Sequence, residues 1–336
     1  MSVRNLMFDR GVLRSRRVDV PVISVGNISA GGTGKTPMTE FIATSLKERG
    51  LRVAVLSRGY GRLSSGYRVV SNGRQVCAEL QAAGDEAALL AENLKDVIVA
   101  VDENRVRGAT RLVRELGPEA IILDDGFQHR WLDRTIDLVL VRPDDVLGNP
   151  RVLPAGYLRE SLTGLSRADC IAVSGAKNDT EFEAAAAAIG RITGKPVIGF
   201  FLRPGRLVRL LTGEQVRRED LGVPCVAVSG IARPESFEQT LRGFGIEVVR
   251  HTVFPDHHWY RPDDLRGLHS TARDAGAQWL VTTRKDAVRL ASVEGLRELD
   301  RDVPVLVLEV SVAIDRGEEI LNQLLEQARA ARVSSI

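Results

Sequence analysis

The run Gly26-Asn27-Ile28-Ser29-Ala30-Gly31-Gly32-Thr33-Gly34-Lys35-Thr36 holds the residue types that bind a polyphosphate. A glycine-rich turn leaves backbone N–H groups and the positive end of a helix dipole aimed at one spot, where phosphate oxygens can sit. There Lys35 neutralises the β- and γ-phosphates and the Thr36 hydroxyl holds Mg²⁺. The strict pattern G-x-x-x-x-G-K-[ST] is not met, because Ser29 stands at its first glycine. Gly31, Gly32 and Gly34 still supply permissive backbone.

Further chemistry-bearing residues fall at strand ends. Ala120 to Leu123 is an apolar run that delivers Asp124 and Asp125, and in a phosphate-loop protein that is where the second Mg²⁺-coordinating acid is expected. Ser57-Arg58-Gly59-Tyr60-Gly61-Arg62 ends another strand, and its arginines suit phosphate at the ligand edge of an open α/β sheet. Asp85, in Gly84-Asp85-Glu86 at a helix start, reads by default as an N-cap. His257 and His258 beside Asp256 form no closed metal site by themselves.

These residues need elements to hold them. Val20 to Val25 is short, β-branched and bounded by glycine, which suits a buried parallel strand. After Lys35, the residues Met38, Phe41, Ile42 and Leu46 share a helical face, with Pro37 tolerated in the first turn and Gly50 as the stop. Strands are expected at 52–56, 97–101, 136–141 and 170–173, with a hairpin around Asn72-Gly73, a loop at 153–160 and helices after 86 and before 116. A strand pair is expected at 197–202 and 207–211. Beyond it, strands at 225–228, 246–249, 279–282 and 305–308 alternate with helices at 234–244, 262–275 and 285–291. A closing helix is expected at 318–331.

The 336 residues, 44% of them hydrophobic, are too many for one ordinary core and suggest two domains. The expected division is an N-terminal segment at 1–19, a phosphate-loop domain at 20–205, a smaller α/β domain at 206–312 and a C-terminal helix at 313–336. The net charge of +2 names no partner. Lysine occurs only at 35, 47, 95, 177, 195 and 285, which singles out Lys35 and Lys285. Cys77, Cys170 and Cys225 are widely spaced and read as buried thiols in a reducing compartment. No apolar run approaches the roughly 18–20 residues that span a bilayer. Residues 1–19 interleave arginines with Val3, Leu6, Met7 and Phe8. Such a segment can lie on an anionic membrane surface or pack as a helix with a solvated basic face.

The ordered set formed by the loop at 26–36, Ser57 to Gly61, Gly84-Asp85-Glu86, Asp124-Asp125-Gly126-Phe127-Gln128-His129-Arg130, Leu153 to Glu160, Asp256-His257-His258 and Thr283 to Val288 resembles the tetraacyldisaccharide 4'-kinase family. The resemblance covers nearly the whole chain. It implies a P-loop NTPase-like α/β fold and transfer of phosphate from Mg-ATP to the 4'-hydroxyl of a lipid A precursor. It also implies a glycolipid partner, peripheral attachment at the cytoplasmic face of the bacterial inner membrane, and neither nucleic acid nor a protein partner.

By the same resemblance, Thr33, Thr36 and Asp124 contact phosphate or metal and Glu160 joins the metal site. Asp85 is the general base, oriented by His257. Gln128 and His129 orient Asp125 or the phosphates, with Arg58, Arg159 and His258 as further substrate or orienting residues. Arg130 is either such a group or a surface ion pair. Two departures stand out. Only residues 1–19 precede the first strand, where many relatives carry a longer apolar anchor, and Arg284 stands where an acid is expected before Lys285. The competing class is a phosphate-loop ATPase switch, whose signature lysine would occupy the position of Ala30.

Overall fold

A computed structural model describes residues 2–148, 150–221 and 224–333. Residues 1 and 334–336 of the expected terminal segments lie outside the described residues. The chain divides into two units, one reaching Leu202 and resuming at Val312, the other covering Arg203–Ser311.

In chain order the first unit contains α1 (Ser2–Asp9), β1 (Val22–Asn27), α2 (Lys35–Glu48), β2 (Val53–Ser57), β3 (Arg68–Asn72), α3 (Leu80–Ala83), α4 (Asp85–Asn93), β4 (Ile98–Val101), α5 (Arg105–Leu116), β5 (Ala120–Asp124), β6 (Ile136–Val141), α6 (Pro143–Leu147), a 3₁₀ turn at Leu162–Arg167, β7 (Cys170–Ser174) and α7 (Asp179–Ile192). Next comes β8 (Val197–Arg209), whose last residues belong to the second unit. The strand order is β8-β7-β6-β1-β5-β2-β4-β3, parallel except for the antiparallel edge strand β3. β1 and β5 are neighbours, so the phosphate loop and the paired aspartates leave the same edge of the sheet, where open α/β sheets bind ligands. Both faces of the sheet are covered. On one face Val139, Val141, Ile171 and Val173 pack with Phe127, Phe182 and Ile189, and Ala54, Leu56, Ile121 and Leu123 with Ala109 and Leu112; on the other, Ile23, Val55, Ile122 and Leu138 are buried.

The second unit contains β9 (Gln215–Val216), a 3₁₀ turn at Arg218–Leu221, β10 (Cys225–Ser229), α8 (Pro234–Gly243), β11 (Val248–Val253), α9 (Pro262–Asp274), β12 (Trp279–Thr283), α10 (Arg284–Leu290), α11 (Leu296–Asp302) and the start of β13 (Val305–Arg316). Its strands run parallel in the order β11-β10-β12-β13. The closing helix α12 (Glu318–Val333) belongs to the first unit, where Arg49 holds Glu326 at 3.1 Å and Asn322 at 2.5 Å.

Several local expectations change. The strand pair expected at 197–211 is one extended strand, because Pro204 and Gly205 fit extended backbone, and the short β9 folds back on it instead. The hairpin around Asn72-Gly73 is short: Ser71 and Val76 form a bridge, with Asn72 N donating to the Gln75 carbonyl at 3.3 Å and Cys77 N to that of Val70 at 2.7 Å. Cys77 is exposed rather than buried, whereas Cys170 and Cys225 are buried. Helix α7 has no counterpart among the sequence expectations, although Phe182, Ala185, Ala188 and Ile189 lie buried along one of its faces.

Candidate active site

The phosphate loop is built from both of its ends. β1 is buried along its whole length, and Gly34 ends the loop in the left-handed region at φ 86°, from which α2 starts with no side-chain cap. Its first N–H groups are therefore unclaimed by a capping side chain, as an anion site requires. Asn27 is buried and its Nδ2 donates to Thr33 Oγ1 at 3.1 Å, pinching the loop, while Ser174 Oγ donates to the Thr33 carbonyl at 3.0 Å. Ser29, at the missing glycine, has a structural use: its hydroxyl donates to Asp145 Oδ2 at 2.9 Å. Ala30 N donates to the Tyr157 carbonyl at 2.7 Å, and Arg159 N donates to that of Ile28 at 2.6 Å. The segment at 157–159 therefore lines up antiparallel to the loop.

Lys35 opens α2 with its ammonium 3.6 Å from Asp125 Oδ1. Arg159 Nη1 donates to both Asp125 oxygens at 2.9 and 2.8 Å. Asp125 adopts φ 52°, which turns its carboxylate away from the course of β5. Burial pushes its carboxyl up, but the Lys35 and Arg159 cations outweigh this and hold it below the usual carboxylate range. Its neighbour Asp124 is buried and accepts from Thr39 Oγ1 and Ser57 Oγ, both at 3.2 Å. Thr36 is buried one turn before Thr39 on α2.

Gln128 does not reach Asp125. Its Nε2 donates to the Asn27 carbonyl at 2.7 Å and to Glu160 Oε1 at 2.9 Å. Glu160 also accepts from Arg167 at 2.6 Å and from Asn5 of α1 at 3.2 Å. Arg130 serves α1 rather than phosphate, with Asp9 at 2.8 Å, the Asn5 carbonyl at 3.0 Å and the Phe8 ring at 4.9 Å. His129 is largely buried with no hydrogen-bond partner at Nε2; burial, then the charges of Arg105 and Arg134, push it down to about 4. Arg58 is exposed at the end of β2.

Asp85 is not an N-cap. Gly84 takes that position at φ 85°, and Asp85 is the first helical residue, buried, with Oδ1 accepting from Glu86 N at 2.9 Å. A Cβ on Gly84 would lie 2.8 Å from the Tyr60 carbonyl, so the Gly59-Tyr60-Gly61 turn rests against the start of α4.

Sequence reasoning missed Arg105. It is 3% exposed, donates to the Asp102 carbonyl at 3.3 Å and leaves Nε without a hydrogen-bond partner. Burial pulls its guanidinium down to about 10, against the opposing pull of Asp124 and Asp125. The available signal was Asp102-Glu103-Asn104-Arg105 directly after β4, a third strand delivering charged groups to the same edge.

In the second unit His257 sits at φ 60° with its N–H donating to the Gly230 carbonyl at 3.2 Å. His258 hydrogen-bonds Asp264 at 2.9 Å and stacks on Phe254. Gly230 N donates to Asp286 Oδ1 at 3.0 Å, and Arg289 donates to both the Gly230 carbonyl and Asp286. Tyr260 and Thr283 also donate to Asp286, which accounts for the conspicuous Thr283 to Val288 run.

The family described as Tetraacyldisaccharide-1-P 4'-kinase matches residues 1–329. The chain belongs to that family. It is 39% identical over 333 residues to a tetraacyldisaccharide 4'-kinase of Anaeromyxobacter sp. (strain K), covering 98% of this chain and 87% of that protein. A Chlorobium phaeobacteroides protein of the same name is 36% identical over 329 residues, covering 96% and 92%. A crystal structure of LpxK from Aquifex aeolicus in complex with ATP superposes with a TM-score of 0.75 at 34% identity, covering 97% of this chain and 94% of that one. The fold is thus that of the kinase family, a P-loop NTPase-like α/β fold.

Proposed function

We propose that this protein transfers the γ-phosphate of ATP to the 4'-hydroxyl of a tetraacyl disaccharide 1-phosphate in lipid A biosynthesis. The observation that supports this reading best is the Lys35–Asp125–Arg159 cluster at the mouth of the phosphate loop, in a chain that matches the kinase family throughout. In phosphoryl transfer the protein's task is to position the groups and stabilise spreading negative charge. Lys35 and the loop amides hold the β- and γ-phosphates. Asp125 presets the two cations before nucleotide arrives, so little reorganisation remains.

Mg²⁺ fits a hard oxygen donor set made of the Thr36 hydroxyl and the Asp124 carboxylate, both buried at the sheet edge. Glu160 is already engaged by Gln128, Arg167 and Asn5, which suits it to orienting that site through Gln128. Held there, the ion would neutralise charge on the polyphosphate. Asp85 takes the proton of the acceptor hydroxyl as the oxygen bonds to phosphorus and ADP leaves.

No helix among the described residues is long and apolar enough to cross a membrane. The acylated acceptor is met at a bilayer surface, on the cytoplasmic face where ATP is available. The exposed Val3, Leu6 and Met7 of α1 give peripheral contact there.

The test is transfer of labelled γ-phosphate to a tetraacyl disaccharide 1-phosphate in mixed micelles by the wild type, Lys35→Ala and Asp85→Ala. Each variant should lose at least about 10²-fold in turnover while remaining folded. An Asp85→Ala variant with wild-type turnover would remove Asp85 from the chemistry, and an inert wild type would reject the substrate.

A further inference from the structure

The segment Arg151-Val152-Leu153-Pro154-Ala155-Gly156-Tyr157 shows an apolar run to solvent. Val152 is 39%, Leu153 53% and Tyr157 70% exposed, and Pro154 and Ala155 are exposed as well. A short loop tip with this composition loses contact energy to water unless something apolar covers it.

The tip is folded, not loose. Leu153 N donates to the Leu158 carbonyl at 2.8 Å, Leu158 N to that of Arg151 at 3.1 Å, and Ala155 N to that of Val152 at 3.0 Å. A Cβ on Gly156 would lie 2.3 Å from the Arg151 carbonyl, so the turn closes on itself. Its base is fastened to the phosphate loop on both sides. Asp145 precedes the tip and accepts from Ser29 Oγ; after it, the Tyr157 carbonyl accepts from Ala30 N, and Arg159 N donates to Ile28. Leu158 is buried in the core between these bonds, and the Arg159 side chain clasps Asp125.

We infer that this tip is a lipid-inserting loop that seats in the acyl region of the bilayer holding the substrate and relays that contact to the phosphate loop. The inference rests on the peripheral-membrane reading above. The occupant follows from the chemistry of that substrate: it carries four acyl chains and an anionic 1-phosphate, matching an apolar tip with an exposed arginine, Arg151, at its shoulder. A second element points the same way. The polar side of α1 is pinned at Gln128 and Glu160, the latter directly following this loop, through Arg4 to the Gln128 carbonyl and Asn5 to Glu160, while Val3, Leu6 and Met7 stay exposed. Because the 157–159 segment is already bonded to Ile28 and Ala30, a seated tip holds the phosphate loop at the lipid surface beside the acceptor. This gives the 4'-kinase a physical reason to work faster at a lipid surface than on dispersed acceptor.

The test compares wild type, Leu153→Asp, Tyr157→Ser and Leu6→Asp for flotation with phosphatidylethanolamine–phosphatidylglycerol vesicles, and measures KM for the lipid acceptor and Kd for ATP. Leu153→Asp and Tyr157→Ser should each weaken vesicle binding and raise the lipid KM by about tenfold, with ATP binding unchanged. Both positions are exposed, so the fold is retained, as circular dichroism would check. Vesicle binding and lipid KM unchanged in both loop variants, with loss only in Leu6→Asp, would overturn the loop proposal and leave the membrane reading standing. A wild type that does not float would overturn both. Sedimentation showing a dimer that Leu153→Asp dissolves would overturn it in favour of a second copy of the chain as occupant.

Discussion

Replacing Gly26 by alanine tests whether close packing under the phosphate loop sets its geometry. A Cβ there would lie 2.6 Å from Phe127 Cβ and 2.8 Å from Phe127 N. Ordinary carbon contacts lie at about 3.5–4.0 Å, so roughly 1 Å of separation must be found. β1 cannot supply it, because Val25 pairs with Asp124 of β5 and Gly26 with Val139 of β6. Phe127 must move, although it is fully buried. Overpacking typically costs 1–3 kcal/mol, and with backbone on both sides of the clash we expect about 3 kcal/mol. Gln128 moves with Phe127, and its bonds to the Asn27 carbonyl and Glu160 are strained. A misplacement of about 1 Å in such a support lowers turnover on the order of 10²-fold. Urea unfolding of the first unit can be followed through Trp131 in a Trp259→Phe, Trp279→Phe background, alongside steady-state kinetics. Gly32→Ala is the control: nothing lies within 4 Å of its added Cβ, so stability should stay within about 0.5 kcal/mol. A Gly26→Ala protein as stable as the control and as active as the wild type would refute the packing argument.

Two further predictions concern charge. His129 is held near 4, below the roughly 6.5 of an unfolded histidine, so the folded chain binds fewer protons between those values. Its contribution is complete above pH 6.5 and is lost as the pH falls towards 4; discounted for partial solvent access it amounts to about 1–2 kcal/mol. His129→Gln should flatten that stretch of the stability profile measured by urea midpoint, and an unchanged slope would reject it. Asp286→Asn removes the Asp286 charge from the buried Arg289 guanidinium and should destabilise the second unit by about 3 kcal/mol. Unfolding followed through Trp259 and Trp279 checks this, and a loss below about 1 kcal/mol would show that the pair is not load-sharing.

The fold was legible where a period or a punctuating residue marked it. The strand at 22–27, the helix from Lys35 and the acids at 124–125 all carry short-range signals, and the order of the motifs supplied the family. What failed was non-local. Asp85 read as a cap because helix-start chemistry is local, whereas the glycine that displaces it answers to the Tyr60 carbonyl. Gln128 reads from its place in the motif as orienting Asp125 or the phosphates, but its partner Glu160 lies far away in sequence; Arg130 takes its ion-pair alternative, with Asp9 of α1. Arg105 stood in no pattern, and its burial is visible only once β4 and β5 are brought to one edge. Ser29 looked like a defect in the phosphate loop and proves to be its tie to Asp145.

The most direct test of the account is where the phosphate lands. Wild-type protein given ATP, Mg²⁺ and a tetraacyl disaccharide 1-phosphate should yield about one new phosphomonoester per ADP, with phosphorus correlation to the H-4' proton placing it on the 4' oxygen. ADP accumulating with no new phosphomonoester on the lipid would contradict the account and leave a nucleotide-hydrolysing switch in its place.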